Sequence, residues 1–265
     1  MLDQETTGKL VGLAWCLGIP LFVALFVGIA IAGWWRTRKR AQEMAAFAAR
    51  IGFRFVGADQ SVVGRLSGSF SDFARGHSRQ GLNICWGNMA FGGVRASVVL
   101  GDYRYKVTRG GGKSRSTRTY QFSFISLTPV LSIGEDLSVR RERLLDRIGA
   151  FVGLDDIDFE SSEFSKRFHV KCSDRRFAYD LFDPRMIEFF LAAPPPELEV
   201  QGGMVVIDDA SILWTVEGFQ HRLAWLDGFF ARIPRHVRAE RLPPAERALD
   251  PVLNPEGPSG QKGVP

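Results

Sequence analysis

The sequence predicts an α+β fold, with one N-terminal transmembrane helix followed by a cytoplasmic domain of antiparallel β-hairpins and helices. Three observations lead to this prediction. An uncharged apolar run lies near the start of the 265-residue chain. Two runs of alternating apolar and polar residues, joined by glycines, follow it, and apolar residues at helical spacing dominate the second half. About 200 residues lie between the apolar run and a proline-rich end, enough for one sizeable domain or two small ones. Each half of that domain pairs a hairpin with aromatic strands, so a pseudo-repeat of two units is an open alternative.

The composition disfavours nucleic acid as a partner. The formal net charge is +5 with a pI near 9.3, and part of that excess lies in one cluster beside the apolar run. We therefore expect no nucleic acid partner, because such proteins concentrate basic charge on the binding domain. The three cysteines, Cys16, Cys85 and Cys172, are odd in number and form no CxxC spacing. They do not make a disulfide framework, and they fit a reducing compartment.

Residues 10–35 are predicted to cross the membrane. These 26 residues carry no charged side chain. At 1.5 Å per residue they make about 39 Å of helix, more than the roughly 30 Å of the hydrocarbon core. A cleaved signal peptide is the alternative, since Ala30-Ile31-Ala32 resembles a cleavage site. Asp3 and Glu5 in the preceding segment disfavour it, as does the length of the apolar run.

The charges on either side of this span predict its orientation. Arg36, Arg38, Lys39 and Arg40 follow it directly, whereas residues 1–9 offer a single lysine and the terminal amine. The positive side stays in the cytoplasm, so we expect a single-pass protein of the cell membrane, with its short N-terminus outside and its C-terminal domain inside. The basic residues can also contact membrane lipids. The simpler interpretation is that they set the topology alone.

A stripe of small residues runs along the predicted span. Ala24, Gly28 and Ala32 recur every four residues and therefore lie on one helix face. Small residues at this spacing let two membrane helices approach closely, which predicts helix–helix packing in a homodimer. Such residues are also common in any span, so the pattern alone leaves the oligomeric state open.

The first part of the domain is predicted to be rich in β structure. A basic juxtamembrane helix over residues 36–52 ends at Gly52 and leads into the β-rich half, residues 53–133. The run RLSGSFSDF within it is interpreted as a strand, with Leu66, Phe70 and Phe73 on the same face.

The most distinctive pattern of this half is a β-hairpin. GDYRYKVT runs into RGGGKSRS and out through TRTYQFSFISL, with apolar and polar residues alternating on both sides. Gly112-Lys113-Ser114 looks like the end of a phosphate-binding loop, but that motif needs a glycine where Val107 stands and a helix afterwards. We therefore expect a glycine-rich tip that needs positive φ. Arg109, Lys113 and Arg115 make it a basic finger for lipid head groups or an acidic partner, with a solvated loop as the default.

Residues 134–233 are predicted as the α+β half. A helix is expected in EDLSVRRERLLDRIGAFVG and extended structure in DIDFESSEFSKRFHVKCSD. RRFAYDLFDPRMIEFFLAA is expected to be helical, with Asp183 capping a second short helix and Pro184 in its first turn. ELEVQGGMVVIDDASILWTVEG is predicted as a hairpin turning near residues 208–211, and FQHRLAWLDGFFARI as a closing amphipathic helix. Residues 234–265 are rich in proline, which together with few large apolar groups predicts a disordered tail.

One segment resembles a known family. DIDFESSEFSKRFHVKCSDRRFAYDLFDPRMIEFF is similar to a pattern in which Ile-x-Phe-Glu precedes Glu-Phe-Ser-x-x-Phe-x-Val, an acidic turn and a helix ending in a Leu-Phe/Thr-Pro phrase. The matching residues are Ile157, Phe159, Glu160, Glu163, Phe164, Ser165, Phe168, Val170, Asp174, Leu181, Phe182, Pro184 and Met186. The family is an uncharacterised one of bacterial single-pass membrane-anchored proteins with a cytoplasmic α+β domain of unknown function. The resemblance covers much of residues 36–215 and implies the same architecture, but it supplies no function.

Few residues in the sequence fit a catalytic or metal-binding pattern. Asp156, Asp158 and Glu160 would share one face of a strand, which makes them a candidate site for Mg²⁺ or Ca²⁺. These cations need about six oxygen ligands, and a solvated strand face explains the same pattern. His169 alternates with apolar neighbours, where a hydrogen-bonded or surface role is favoured. No zinc or nucleophile motif is present, so we expect no catalytic residue, metal or cofactor.

These observations favour a membrane-tethered, non-catalytic interaction or scaffold protein with an unknown protein partner. Two alternatives stay open. The first is a membrane-anchored, hydrolase-like enzyme that uses Asp156, Asp158, Glu160 or His169, and it requires these side chains to converge in a cleft. The second is a sensor of a lipid or small ligand, and it requires an aromatic pocket that opens toward the membrane.

Overall fold

The computed structural model describes residues 4–141, 154, 156–195, 197–209, 212–247 and 250, with side chains from residue 22 onward except that of Lys113. The chain divides into two compact units, Met1–Met44 and Ala45–Pro265. The second unit is a mixed α+β domain built on one antiparallel sheet of eight strands. The predicted fold class is therefore confirmed for the domain.

A long N-terminal helix, α1, covers Gln4–Arg50. Its residues 22–39 are exposed. Gly52 follows the helix with a φ of +74°, a left-handed conformation that suits a helix end and agrees with the predicted boundary. Within the described part of the chain, no helix is both long and apolar enough to cross a membrane. The side chains of residues 10–21, nearly half of the predicted span, lie outside the described residues.

The sheet joins both predicted halves of the domain. Its strand order is β1-β2-β3-β4-β8-β7-β5-β6, and every neighbouring pair is antiparallel. The strands are β1 Arg54–Ala58, β2 His77–Phe91, β3 Val94–Arg109, β4 Ser116–Pro129, β5 Leu137–Arg141, β6 Phe168–Cys172, β7 Glu197–Gln201 and β8 Met204–Asp208. The link is the pairing of β4 with β8, where Phe124 lies opposite Asp208.

The helices after α1 are mostly short. They are α2 Gln60–Ser69, α3 Ser71–Ala74, α4 Ser162–Arg167, α5 Arg175–Leu181, α6 Pro184–Ala192, α7 Val216–Arg232, α8 Arg235–Arg241 and α9 Pro244–Arg247, with a 3₁₀ turn at Gly112–Ser114. As predicted, Asp183 caps α6: its carboxylate accepts the Met186 N–H at 2.8 Å, and Pro184 occupies the first turn. The predicted closing amphipathic helix is α7.

The predicted hairpin is formed by β3 and β4. Tyr105 lies opposite Tyr120, and the last pair before the tip is Arg109 with Ser116. Gly110 and Gly112 have φ values of +79° and +58°, the positive φ expected at the tip. No helix long enough to direct its N-terminus at a phosphate follows the glycines, since β4 begins at Ser116.

The predicted strand in RLSGSFSDF is wrong, because this stretch forms α2 and α3. Asp59 caps α2 by accepting the Ser61 N–H at 2.9 Å. Leu66, Phe70 and Phe73 are spaced by four and three residues, which is helical spacing, and all three are buried. They pack on the face of the sheet that carries Tyr103, Phe122 and Phe124. The apolar residues of this stretch were interpreted as recurring every two residues, as in a strand, but they recur with the period of about 3.6 residues of a helix.

Two further expectations about the second half are corrected. The second hairpin turns at Gly202 and Gly203, whose φ values are +56° and +75°, and not near residues 208–211. Paired glycines at the tip allow the tight turn that joins β7 to β8. Residues 137–141 form β5 and not the start of a helix, while residues 142–153 of that predicted helix lie outside the described residues.

The extended structure predicted around residues 155–174 is interrupted by α4, after which β6 begins at Phe168. The predicted disordered tail, residues 234–265, is wrong for residues 235–247, and residues 251–265 lie outside the described residues. Residues 235–247 form α8 and α9, and Arg238 is fully buried. Its guanidinium pairs with Asp250 and donates to the carbonyl oxygens of Gly92 and Phe230. This part of the tail is ordered because a charged residue anchors it in the domain, which a count of large apolar groups does not register.

Candidate functional site

The acidic run that the sequence nominated for a metal stands largely apart from other carboxylates. The carboxylate of Asp156 pairs with His169 Nδ1 at 3.0 Å and lies 3.9 Å from Lys171 Nζ. Asp158 is exposed, and its backbone oxygen accepts the Tyr179 hydroxyl at 3.2 Å. Glu160 lies on the rim of a groove that is described below. Among the described residues, these three do not form a group with oxygen atoms close enough to share an ion.

The other nominated residues lie on exposed parts of the chain. Arg36, Arg38 and Lys39 are exposed on α1, and Arg40 is half-buried. Arg38 sits 5.1 Å above the Trp34 ring. At the hairpin tip, Arg109 and Arg115 are exposed, and the side chain of Lys113 lies outside the described residues.

The small-residue stripe is also exposed on α1. Its members are Ala24, Gly28 and Ala32. A Cβ added to Gly28 would meet no atom within 4 Å. The surface of α1 at Gly28 is therefore accessible to another helix. The role of the stripe in helix packing stays a prediction.

Among the described residues, a largely buried group of charges was not found by sequence reasoning. We call it the charge cluster, and its members are Asp72, Arg75, Arg140, Glu197, Glu199 and Asp208. Strand register builds most of it, because Glu197 lies opposite Asp208 across β7 and β8, and Glu199 lies opposite Ser138 on β5. Since side chains alternate between faces, Arg140, two residues beyond Ser138, points to the same side. Asp72 reaches this face from α3.

The geometry of the charge cluster centres on Arg140. Its guanidinium donates to Glu199 and lies 3.7 Å from Glu197 and 3.9 Å from Asp72. Arg75 reaches the other oxygen of Asp72 at 3.1 Å. Carboxylate oxygens of Asp72, Glu197 and Asp208 all lie within 4.8 Å of one another. Arg140 thus lies against three carboxylates and Arg75 against one of them, in a site where Glu197 is only 1% exposed.

This excess of negative charge changes how the acids ionise. Burial raises the pKa of Glu197 to about 8; Arg140 works against that rise, and Asp72 adds to it. Burial also raises the pKa of Glu199. Burial alone would lower the pKa of Arg140, but Glu199, Glu197 and Asp72 raise it above its usual range. The raised pKa of Glu197 favours its protonated form at neutral pH, because the charged form of a buried acid is disfavoured.

The charge cluster is suited to a structural role, and not to binding a metal ion or a substrate. A hard cation needs about six oxygen ligands, and here a guanidinium already lies against Asp72, Glu197 and Glu199. The carboxylates of Asp72, Glu197 and Asp208 are at most 5% exposed, so a substrate has no direct access to them. The ion pairs tie α3 to the strands β5 and β7. Breaking such a network by removing one partner costs far more than its net contribution to stability.

A surface groove is the second candidate site. It encloses about 640 Å³ and lies among the segment before α4, the helix α5 and the outward face of α6. We call it the aromatic groove, and its lining residues are Phe159, Glu160, Ser161, Tyr179, Phe182, Asp183, Pro184, Ile187, Glu188 and Leu191. This volume falls within the range of roughly 300–1,000 Å³ that is typical of ligand sites.

Aromatic rings form the floor of the aromatic groove. Phe159 stacks edge-on against Phe164, Tyr179 and Phe182, with ring centroids 5.3–5.4 Å apart. Phe182 is buried, whereas Tyr179 is 51% exposed. Edge-to-face packing of this kind stabilises the floor beyond simple burial, so the groove is a preformed feature of the domain.

Sequence reasoning missed the charge cluster although a signal for it exists. Glu197 and Glu199 alternate with apolar residues on β7, and this stretch was predicted only as one strand of a hairpin. Both are buried, because α3 brings Asp72 over the same face. The useful signal was the opposite charge of Arg140 on another strand, which gains meaning only when the two strands are known to pair.

Comparison with known proteins leaves the family of this chain open. No family model and no curated protein matches it. One solved structure with similarity is the crystal structure of the mycobacterial trehalose monomycolate transport factor A, TtfA. It has a TM-score of 0.49 and 12% sequence identity, and the match covers 74% of this chain and 97% of that chain.

Proposed function

We propose that this chain is a membrane-tethered interaction or scaffold protein without catalytic activity, located in the cell membrane with its domain in the cytoplasm. The observation that carries the proposal is the surface of α1 over residues 22–35. Large apolar side chains there are exposed on all sides of the helix, among them Phe22, Leu25, Phe26, Ile29 and Trp35, each more than 60% exposed. An apolar surface of this extent marks contact with a membrane or another protein.

The order of residues along α1 supports the membrane as that contact. The sequence carries no charge from Leu10 to Trp35, and two tryptophans end the run. Tryptophan is enriched at membrane interfaces, and the basic residues 36–40 that follow are typical of a cytoplasmic flank. Through this arrangement the helix enters the bilayer and the domain stays at the cytoplasmic surface.

The domain supports interaction more than catalysis. The carboxylates of the charge cluster are buried, and Arg140 pairs with Glu199 among them. The aromatic groove is an open feature of the surface that the described residues form. A groove that is preformed and reachable from solvent suits the binding of a partner.

Membrane attachment is tested by washing membranes from cells that express the full chain. We expect the protein to stay in the pellet through high salt and alkaline carbonate. A double variant, Phe26→Lys with Ile29→Lys, should be released, since each charge at the centre of a span costs about 2.5–3.5 kcal/mol on insertion scales. The control is Glu43→Lys on the same helix, beyond the apolar run. Release of the unaltered chain by salt or carbonate would refute the tether.

The interaction part is tested by purification of the tagged full chain from native membranes in mild detergent, followed by mass spectrometry. We expect a protein partner at stoichiometric yield. Recovery of the chain without a protein partner but with a retained lipid, metal or metabolite would overturn the scaffold function in favour of sensing or catalysis.

A further inference from the structure

We infer that the aromatic groove docks a partner protein segment in which lysine or arginine stands next to a large apolar side chain. The inference names the partner class for the interaction function proposed above and rests on that function. Three properties of the groove carry it: a second apolar face on α6, a rigid aromatic floor and an acidic rim.

The helix α6 has one more apolar face than its packing in the domain uses. Met186 and Phe190 are fully buried and face the core. Ile187 and Leu191, four residues apart, line the groove instead. A helix that packs on a single core needs one apolar stripe and places polar residues elsewhere. The second stripe is therefore available to a ligand.

The floor favours a large apolar side chain. Phe159 and Phe182 pack against each other with ring centroids 5.4 Å apart, and Phe182 also contacts Phe164 at 5.5 Å and Phe190 at 5.3 Å. Rings held from several sides leave little room for the floor to collapse. A leucine, phenylalanine or methionine of the partner would exclude water from this floor, which is how the central residues of an interface contribute most of the affinity.

The rim favours positive charge. Glu160, Asp183 and Glu188 contribute three carboxylates, and no lysine, arginine or histidine is among the lining residues. Glu160 and Glu188 are exposed, and neither forms an ion pair with a residue that the structure describes. The exposed ring of Tyr179 adds a surface for a cation–π contact. A cationic partner would thus find complementary charge and a suitable ring within one groove.

The test is a selection from a displayed library of random short peptides against the full chain in detergent. We expect enrichment of sequences that place lysine or arginine beside a large apolar residue. A synthetic peptide of the enriched sequence should bind at least about tenfold more weakly to Glu188→Lys than to the unaltered chain, which corresponds to about 1.4 kcal/mol. Enrichment of acidic or uncharged peptides, or no enrichment, would overturn the inference.

A matched control separates the groove from general electrostatics. Glu240→Lys makes the same change of charge on α8, at an exposed position outside the groove. We expect its affinity for the peptide to stay near that of the unaltered chain. Equal losses for Glu240→Lys and Glu188→Lys would refute docking in the groove. Binding of a free amphipathic amine that matches the peptide in affinity would instead assign the groove to a small cation.

The result is distinguishable from a failure of the proposed function. Membrane retention of Glu188→Lys should equal that of the unaltered chain, because the substitution lies outside α1. A chain that binds the peptide but is washed from membranes would retain the docking site and lose the tether. If the chain stays in membranes but enriches no cationic peptide, the docking inference is refuted and the membrane tether is not.

Discussion

Arg140 and Arg238 are both buried in the domain, but their surroundings differ in charge. Arg238 pairs with one carboxylate, Asp250, and its other donors reach backbone carbonyl oxygens of Gly92, Phe230 and Ile233. Arg140 lies against three carboxylates, those of Asp72, Glu197 and Glu199. The first arrangement balances its charge, and the second carries an excess of negative charge.

The ionisation of the two guanidinium groups reflects this difference. Burial lowers the pKa of Arg238, and Asp250 only partly offsets that effect. Around Arg140 the three carboxylates outweigh burial and raise its pKa. The comparison teaches that burial alone does not decide how a charge behaves, because the number of opposite charges around it decides the sign. Of these two sites, we expect the one around Arg140 to make the free energy of unfolding depend more strongly on pH in the neutral range.

The largest effect is expected from Arg238→Met. The substitution leaves Asp250 buried beside an apolar group and removes donors from three carbonyl oxygens, so the free energy of unfolding should fall by about 3–5 kcal/mol. Carbonyl oxygens do not titrate, so the part of the loss that comes from their missing donors should persist at both about pH 6 and about pH 8. Urea titrations of the full chain, followed by tryptophan fluorescence, would measure it. A loss that disappears at the lower pH would break the comparison.

The second effect is expected from Arg140→Met, and it should depend on pH. At about pH 8 the free energy of unfolding should fall by about 3–5 kcal/mol, because the substitution leaves several buried carboxylates without their central cation. At about pH 5 the loss should shrink to roughly half, since Glu197, whose pKa is about 8, is then protonated and carries no charge that needs the cation. The same urea titrations at both pH values are the measurement. Equal losses would show that the carboxylates carry no excess charge.

A smaller effect is expected from Glu197→Gln. The folded-state pKa of Glu197, about 8, lies above its ordinary value of 4.5. The stabilising contribution of its protonated form is therefore complete below about pH 4.5 and is lost as the pH rises through about 8. Glutamine stays neutral, so the variant should be more stable than the unaltered chain by about 1–3 kcal/mol at about pH 9 and nearly equal to it at about pH 5.

The control for Glu197→Gln is Glu188→Gln, which changes an exposed acid on the rim of the aromatic groove. Thermal unfolding over the same pH range should show no comparable gain for it. A parallel gain for both variants would mean that the net charge of the chain, and not burial of Glu197, causes the pH dependence.

The smallest effect is expected from Arg167→Ala. Its pair with Glu163 spans one turn of α4 at 3.2 Å, with the two side chains 44% and 68% exposed. An exposed pair of this kind contributes about 0.2–0.5 kcal/mol, and salt screens it. Urea titrations at low and high salt should detect a change near the limit of precision. A loss as large as that of Arg140→Met would remove burial as the reason for the difference.

Local patterns predicted the parts of the domain whose signal is contained in a few neighbouring residues. The hairpin of β3 and β4 was found because its alternation and its glycines stand within one stretch. The cap of α6 was found because Asp183 and Pro184 are adjacent. The helices α2 and α3 were missed because the helical spacing of Leu66, Phe70 and Phe73 was interpreted as the alternation of a strand.

Neither candidate site could be derived in the same way. The aromatic groove needs Phe159, Tyr179 and Leu191 to meet, and these belong to three separate segments. The nominated acids Asp156 and Glu160 share a stretch of sequence, but Asp156 pairs with His169 and Glu160 faces the groove. A shared stretch therefore did not imply a shared site.

The sequence by itself determined the α+β class of the domain, the β3–β4 hairpin and the helices α5, α6 and α7, because periodicity and capping act over a few residues. It also supplied the uncharged run and the basic flank on which the membrane proposal rests. Only the tertiary structure decided that both halves share one sheet through β4 and β8, and that Arg140 meets acids from α3 and β7. Such charges assemble from distant segments, and their energies depend on burial, which no local pattern of residues encodes.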